Sequence, residues 1–119
     1  MEKVNVKEKL NQFSEHWQPK IIGELNESHV KVARLKGEFV WHSHDSEDEM
    51  FYVIEGELKI CFREREVTLK KDEFIIVPRG VDHKPVAEQE VQVMLIEAKT
   101  TVNTGNIRNE RTVENPEII

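Results

Sequence analysis

Short runs rich in Val, Ile and Phe, separated by turn residues, follow one another from Pro19 almost to residue 100. Runs of this length and spacing are typical of an all-β sandwich or barrel. The clearest runs are KIIGEL, HVKVARL, FYVIEG, ELKICF, EFIIVP and EVQVMLIEA. At 119 residues the chain has the size of one domain with a real hydrophobic core. The pattern therefore predicts a single all-β domain, with its barrel over residues 20–100.

The first residues carry a helical pattern instead. One helical face is predicted from the spacing of Val6, Leu10, Phe13 and Trp17. Asn5 is placed to cap this helix, Glu8 follows three residues later, and Pro19 cannot continue it. A helix over residues 5–17 is expected to pack on the barrel. The polar stretch 101–119 is predicted to be an irregular extension that wraps over the domain.

Several of the predicted strands are apolar on both faces. In the run FYVI, Phe51 and Val53 share one face while Tyr52 and Ile54 share the other, and FIIV is apolar throughout. A small barrel alone would leave one of these faces in water, so another layer has to cover it. The N-terminal helix, a second sheet or another copy of the chain can do this, and a homodimer is the favoured prediction.

Composition limits the partners. The net charge is −6, so nucleic acid phosphates and anionic membranes should be repelled, and neither is expected as a partner. The single cysteine, Cys61, cannot form an internal disulfide and is read as a small core residue. No apolar stretch approaches the roughly 18 residues of a membrane span, and MEKVNVKEKL lacks an apolar signal region. A cytoplasmic location is expected.

The stretch HSHDSEDEM, residues 42–50, carries the chemistry. On a strand, His42 and His44 would present both imidazoles on one face. Glu49 shares the parity of Phe51, so it points inward if Phe51 does, and an inward carboxylate is costly unless paired or bound to a metal. Either these residues belong to a metal site or the stretch is a solvated acidic loop with incidental histidines.

A third histidine, His83, lies just past the turn Pro78-Arg79-Gly80. With it, the chain resembles the cupins in two motifs. The first is matched by Gly37, His42, His44, Glu49 and Gly56, and the second by Pro78, Gly80 and His83. Three turn or strand-end positions depart from the family pattern: Gly37 is one residue too close to His42, Asp72 replaces a glycine, and Ala87 replaces an asparagine.

The resemblance implies a double-stranded β-helix, or jelly-roll, cupin barrel that holds one divalent transition metal. The implied ligands are His42, His44, Glu49 and His83. Three imidazoles and one carboxylate suit Fe, Mn, Ni, Co, Cu or Zn rather than Ca or Mg. Since protons compete for imidazoles, affinity is expected to fall as the pH drops through about 6.

The residues around the implied ligands are not expected to bind the metal. His16, His29 and the acidic residues between His44 and Glu49 are expected at the surface. Trp41 has the opposite parity to His42 and should point away from the metal. Arg79 and Lys84 flank His83, where they either bind an anionic group or simply face solvent.

The reaction is left open by these motifs. The overall pattern and the tail NTGNIRNERT are similar to small cupins described as mannose-6-phosphate-isomerase-like. The favoured hypothesis is a small metal-dependent enzyme acting on a polar small molecule, of isomerase or oxygenase type. The alternative is a non-catalytic module that binds a sugar or carboxylate through the same metal. A closed structural zinc site is less favoured, because such sites often contain thiolates.

Overall fold

The chain forms one short helix followed by seven strands in a computed structural model that describes residues 1–119. The elements are α1 (Val6–Leu10), β1 (Lys20–Leu25), β2 (Ser28–Glu38), β3 (Glu49–Glu55), β4 (Leu58–Cys61), β5 (Glu66–Leu69), β6 (Phe74–Val77) and β7 (Lys84–Ala98). The prediction of an all-β jelly-roll barrel with a short N-terminal helix is confirmed. The helix α1, with five residues, is too short to span a lipid bilayer.

The strand β7 organises the barrel. Its C-terminal part lies between β2 and β3, in the strand order β1-β2-β7-β3-β6, and all pairs are antiparallel. Its first residues pair with β4, which in turn pairs with β5. Both halves of the barrel therefore share β7 and enclose a core formed by Ala33, Leu35, Phe51, Val53, Leu58, Ile60, Leu69, Val77, Ala87, Val91, Val93 and Leu95.

The alternation predicted for β3 is present. Glu49, Phe51 and Val53 are buried, while Met50 and Tyr52 between them are only partly covered. Glu49 therefore shares the inward face of Phe51, as its position in the sequence indicated.

The N-terminal helix is shorter than predicted and ends at Leu10 instead of residue 17. Its start is as expected, since Asn5 Oδ1 accepts a hydrogen bond of 3.0 Å from the Glu8 amide. Beyond it, the guanidinium of Arg34 donates to the carbonyl oxygens of Leu10 at 2.9 Å and Phe13 at 3.0 Å. Because Arg34 on β2 binds these carbonyls, they do not accept from the amides of a further helical turn. Trp17 also has a left-handed φ of 61°, which a helix does not allow.

The outer faces are covered unevenly. Leu10 packs with Ile22 and Val32, so α1 covers the outside of β1 and β2. On β6, Phe74 and Ile76 remain 56% and 55% exposed. The prediction that the N-terminal helix packs on the barrel is thus confirmed for β1 and β2. The apolar outer face at β6 is exposed to solvent.

Two residues differ from their predicted environment. Cys61 is not in the core, because Leu58 and Ile60 occupy the inward positions of β4 and leave Cys61 half-buried on the other face. His29 is not a free surface residue, since its side chain is only 16% exposed. His29 has the parity of the inward-facing Lys31 and Ala33, which accounts for its burial.

The Asp72 position explains one departure from the cupin pattern. Its φ of 67° is the left-handed conformation for which glycine is favoured, and aspartate tolerates it better than most residues. The Asp72 amide donates to the Val53 carbonyl at 2.8 Å, and its carboxylate accepts from the Tyr52 hydroxyl at 2.8 Å. These two bonds hold the turn without glycine.

Candidate metal centre

Two distant parts of the chain meet at an isolated antiparallel bridge between His42 and His83. The His42 amide donates to the His83 carbonyl at 3.1 Å, and the His83 amide donates back at 2.9 Å. His42 and His44 lie in an irregular segment between β2 and β3, so their predicted placement on a regular strand was wrong. The bridge nevertheless brings both histidine motifs to one place.

The four predicted ligand residues converge inside the barrel. Their ligand atoms lie within 4.8 Å of one another, and all four residues are buried. Glu49 Oε1 is 3.4 Å from His44 Nε2 and 3.3 Å from His83 Nε2. Ligands about 2.1 Å from one ion, at right angles, are about 3 Å apart, so this cluster is close to the required spacing.

The donor atoms are prepared for a metal by their hydrogen bonds. The Nδ1 atoms of His42 and His83 contact the carbonyl oxygens of Val40 at 2.9 Å and Val81 at 3.0 Å. A carbonyl can only accept, so each Nδ1 carries the proton and each neutral ring keeps Nε2 free to ligate. This tautomer is the one that a metal at the centre of the cluster requires.

Unpartnered atoms mark the same centre. Glu49 Oε1, His44 Nε2 and His83 Nε2 are buried without a hydrogen-bond partner in the protein. Orphaned buried polar atoms are rare because each costs free energy, so a group that binds all three fits the residues present. Nitrogen and carboxylate donors in this ratio suit a divalent transition metal.

The His42 ring is held neutral. Burial, followed by the repulsion from His83, lowers the pKa of His42 to about 4. Proton competition at His42 therefore begins well below the pH of about 6 expected from an ordinary imidazole. Above that range the ring is in its ligating form.

A buried pair that the sequence analysis missed adjoins Glu49. Glu97 is its direct cross-strand partner, and Lys31 Nζ donates to Glu97 Oε1 at 2.8 Å. Burial and then the neighbouring Glu49 raise the pKa of Glu97 well above its usual range. Burial also raises the pKa of Glu49, but its interactions with the Glu97 carboxyl and with the His44 and His83 rings outweigh burial and hold the pKa well below normal. Glu97 thus keeps the proton that the two carboxyl groups share.

A cavity of about 40 Å³, measured as space open to the centre of a water molecule, adjoins the cluster. Its polar wall consists of His42, Glu49, Glu97 and Asn103. The rest is apolar and is formed by Trp17, Pro19, Ala33, Leu35, Phe39, Phe51, Pro85 and Leu95. Trp17 stacks on Phe39 with ring centres 4.7 Å apart, and Phe39 meets His42 edge-on. Trp17 is therefore part of the cavity wall rather than of the predicted helix.

The charged residues near the ligands are paired away from the cavity. Arg79 donates from its amide and its side chain to Asp48, at 2.9 and 3.2 Å. Lys84 donates to Glu38 at 2.7 Å. Of the two interpretations of Arg79 and Lys84, surface ion pairing is the one observed.

Trp41 and His16 both lie outside the metal cluster, as predicted. Trp41 lies outside the cavity beneath the guanidinium of Arg63, 3.8 Å from its ring centre, as its parity indicated. His16 is at the surface, where it bonds to Glu90 at 2.8 Å.

Fold and site together define a class: a small antiparallel β-barrel protein with an inward-facing cluster of three histidines and one glutamate that can hold a metal ion. The chain belongs to the cupin family, since the family model described as a cupin domain matches residues 29–99.

Related proteins agree with this assignment. The solved cupin-2 domain protein of Shewanella frigidimarina is 43% identical, with a TM-score of 0.79, covering 80% of this chain and 93% of that one. Protein NMB1881 of Neisseria meningitidis is 31% identical, with a TM-score of 0.76, covering 82% and 99%. The uncharacterized protein YdbB of Bacillus subtilis is 40% identical over 80 residues, which are 66% of this chain and 65% of YdbB.

Proposed function

We propose that this cupin is a small metal-dependent enzyme that binds one divalent transition metal through His42, His44, Glu49 and His83. The observation that carries the proposal is the convergence of four buried donor side chains on one point beside a cavity. The unpartnered state of Glu49 Oε1, His44 Nε2 and His83 Nε2 supports it, because a metal would satisfy all three.

When bound, such an ion supplies Lewis-acid or redox chemistry at its open coordination positions. The protein's own groups set the conditions around it. The carbonyls of Val40 and Val81 orient two imidazoles, and the apolar cavity wall excludes bulk water. Glu97 lies beside Glu49 in the wall of the same cavity, and its raised pKa suits an acid–base role that the sequence did not indicate.

The lining of the cavity limits the kinds of substrate that it could bind. A wall formed mainly by apolar residues, with the stacked Trp17 and Phe39 rings, suits a small molecule with an apolar or planar body. The carboxyl of Glu97 and the amide of Asn103 offer hydrogen bonds to a polar group on that molecule. This favours an oxygenase-type reaction on a mixed apolar and polar compound over an isomerase acting on a fully hydroxylated sugar. Membership of the mannose-6-phosphate-isomerase-like subgroup stays a prediction.

The second candidate is a non-catalytic module that binds the same kind of small molecule through the metal. It is favoured by the small volume of the cavity and by the surface pairing of Arg79 with Asp48 and of Lys84 with Glu38, which engages the two cations that flank His83.

The deciding experiment begins with elemental analysis of protein purified without added metal. We expect close to one transition-metal ion per chain, and a persistent absence of metal after reconstitution would contradict the proposal. The native metal form is then incubated with small aromatic and aliphatic compounds, with and without oxygen, and the products are followed by mass spectrometry. Turnover that chelation abolishes and the metal restores indicates an enzyme. Stoichiometric binding in calorimetry without any product indicates the binding module.

We also propose that the chain acts as a cytoplasmic homodimer. The open apolar outer face at β6, with Phe74 and Ile76, supports the dimer, because exposed apolar faces of this kind are commonly buried by a second copy.

A further inference from the structure

Ser43, the residue between two of the proposed ligands, is held by the C-terminal segment. The Ser43 amide donates to Asn106 Oδ1 at 3.0 Å, and the Asn106 amide donates back to the Ser43 carbonyl at 3.0 Å. Both backbone groups of Ser43 are therefore occupied by one residue that lies 63 positions further along the chain. Any displacement of Asn106 acts directly on the backbone that joins His42 to His44.

Gly105 brings the two segments into contact. A Cβ at this position would overlap the Ser43 carbonyl oxygen and lie 3.2 Å from Cδ2 of the His42 ring. Its φ of 57° also lies in the left-handed region. Only glycine allows the C-terminal backbone to lie this close to the His42 ring and the Ser43 carbonyl.

The C-terminal segment is itself braced. Thr104 is completely buried, and its hydroxyl bonds to the Ile107 carbonyl at 2.6 Å and to the Thr112 hydroxyl at 2.7 Å. The Gly105 amide donates to the Val102 carbonyl at 2.8 Å. Gly105 and Asn106 therefore belong to a well-anchored turn, and this anchoring allows them to hold the backbone of Ser43 in place.

The other backbone groups of the ligand stretch are bound from the opposite side. His42 is bridged to His83, and the His44 carbonyl accepts from the Gly80 amide at 2.8 Å. The barrel therefore anchors the residues on either side of Ser43, and the anchor of Ser43 itself comes from the C-terminal segment.

We propose that Gly105 and Asn106 are positioning residues of the metal centre, which set its metal affinity by fixing the backbone between His42 and His44. The inference rests on the proposed metal function. It assigns a role to a segment beyond residues 29–99, the part of the chain that the cupin family model matches. Partners that orient metal ligands from outside typically contribute about 10- to 100-fold to metal affinity.

The test measures metal affinity by competition with a chromophoric chelator, together with thermal unfolding of the metal-free protein. Asn106→Ala removes the acceptor for the Ser43 amide, and Asn106→Asp restores an acceptor oxygen at that position. Asn109→Ala is the matched control, because Asn109 Oδ1 accepts a 2.8 Å bond from the Arg111 amide in the same segment without contacting the ligand stretch.

We expect Asn106→Ala and Gly105→Ala to weaken metal binding about tenfold or more. Asn106→Asp should recover most of the affinity, and Asn109→Ala should bind as the unmodified protein does. Unchanged affinity in Asn106→Ala overturns the inference while the proposed metal function stands. Equal loss in Asn106→Ala and Asn109→Ala also overturns it, because the effect would then be general loosening of the segment. Absence of metal binding by the unmodified protein overturns both proposals.

Discussion

Glu49 and Glu97 face each other across β3 and β7, and both carboxyl groups are buried inside the barrel next to Lys31. The Glu49 carboxylate is aimed at the proposed metal position, and the protonated Glu97 carboxyl accepts a hydrogen bond from the Lys31 ammonium. A proposed ligand, a proton carrier and a buried cation thus form one continuous polar group within an otherwise apolar interior.

The first prediction concerns this buried pair. Glu97→Leu leaves the Lys31 ammonium buried without the carboxyl oxygen that accepts its hydrogen bond, which should lower the free energy of unfolding by about 3–5 kcal/mol. The double variant Lys31→Met/Glu97→Leu should recover most of that loss, since apolar residues of similar volume replace the pair. Urea denaturation of chelator-treated protein measures both effects.

The surface pair Lys84–Glu38, at 2.7 Å, is the matched control for this cycle. Lys84→Met should leave the stability close to that of the unmodified protein, because Glu38 is well exposed. A double variant as unstable as Glu97→Leu alone would contradict the interpretation that the charge left unpaired is the cause.

The second prediction is that His83→Ala and His44→Ala lose most of their bound metal. Each removes one of the four donors that converge within 4.8 Å, and the remaining three leave a further coordination position open. Elemental analysis after gel filtration measures the metal content. His16→Ala removes a surface imidazole bonded to Glu90 and should keep the full content. Full occupancy in both core variants would refute the ligand assignment.

The third prediction is a pH dependence of the metal-free fold. The pKa of His42 is about 4 in the folded protein against an ordinary value of 6.5. As the pH falls, the unfolded chain takes up this proton first, so stability is fully present above about 6.5 and decreases towards pH 4. A difference of this size corresponds to about 3 kcal/mol.

Chemical denaturation at a series of pH values between 7 and 4.5 measures this loss in chelator-treated protein. His42→Gln, which cannot take up the proton, should show a shallower decrease. The same slope in both proteins would mean that other groups cause the acid sensitivity.

The fourth prediction concerns the proposed dimer. Phe74→Lys places a charge on the open outer face at β6 and should convert the protein to a monomer in sedimentation velocity. Leu25→Lys alters a residue on β1 of similar exposure, 58% against 56%, and should leave the dimer intact. A monomeric unmodified protein, or equal dissociation by both variants, would rule out this face as the dimer interface.

The fold could be predicted from the sequence because its determinants are local. Alternating apolar residues set the strands, and the parity of Glu49 with Phe51 correctly placed the carboxylate inside. The same reasoning was available for Glu97, which follows Val91, Val93 and Leu95 on the inward face, but the strand was interpreted only for its apolar residues. The helix was overextended because the carbonyls of Leu10 and Phe13 are bonded by Arg34, a contact between distant segments.

Other features depend on contacts that no local pattern records. The cavity combines Trp17, Phe39 and Asn103, which come from three separated loops. The hydrogen bonds between Asn106 and Ser43 join residues that are separated by more than half the length of the chain. Ser43 is the unspecified position between His42 and His44, and the tail that contains Asn106 has no pattern that points to a contact, so the sequence carried no signal for their association.

The central position of β7 also governs when the barrel can form. Because β7 pairs with β2, β3 and β4, those strands have no common neighbour until the chain has been made as far as Ala98. During synthesis, the pairs β1–β2, β3–β6 and β4–β5 can form first, but the edges that will pair with β7 stay exposed until it is made, and such edges are prone to wrong association. Closure of the barrel by β7 therefore depends on pairing between distant parts of the chain, which is slow compared with helix formation.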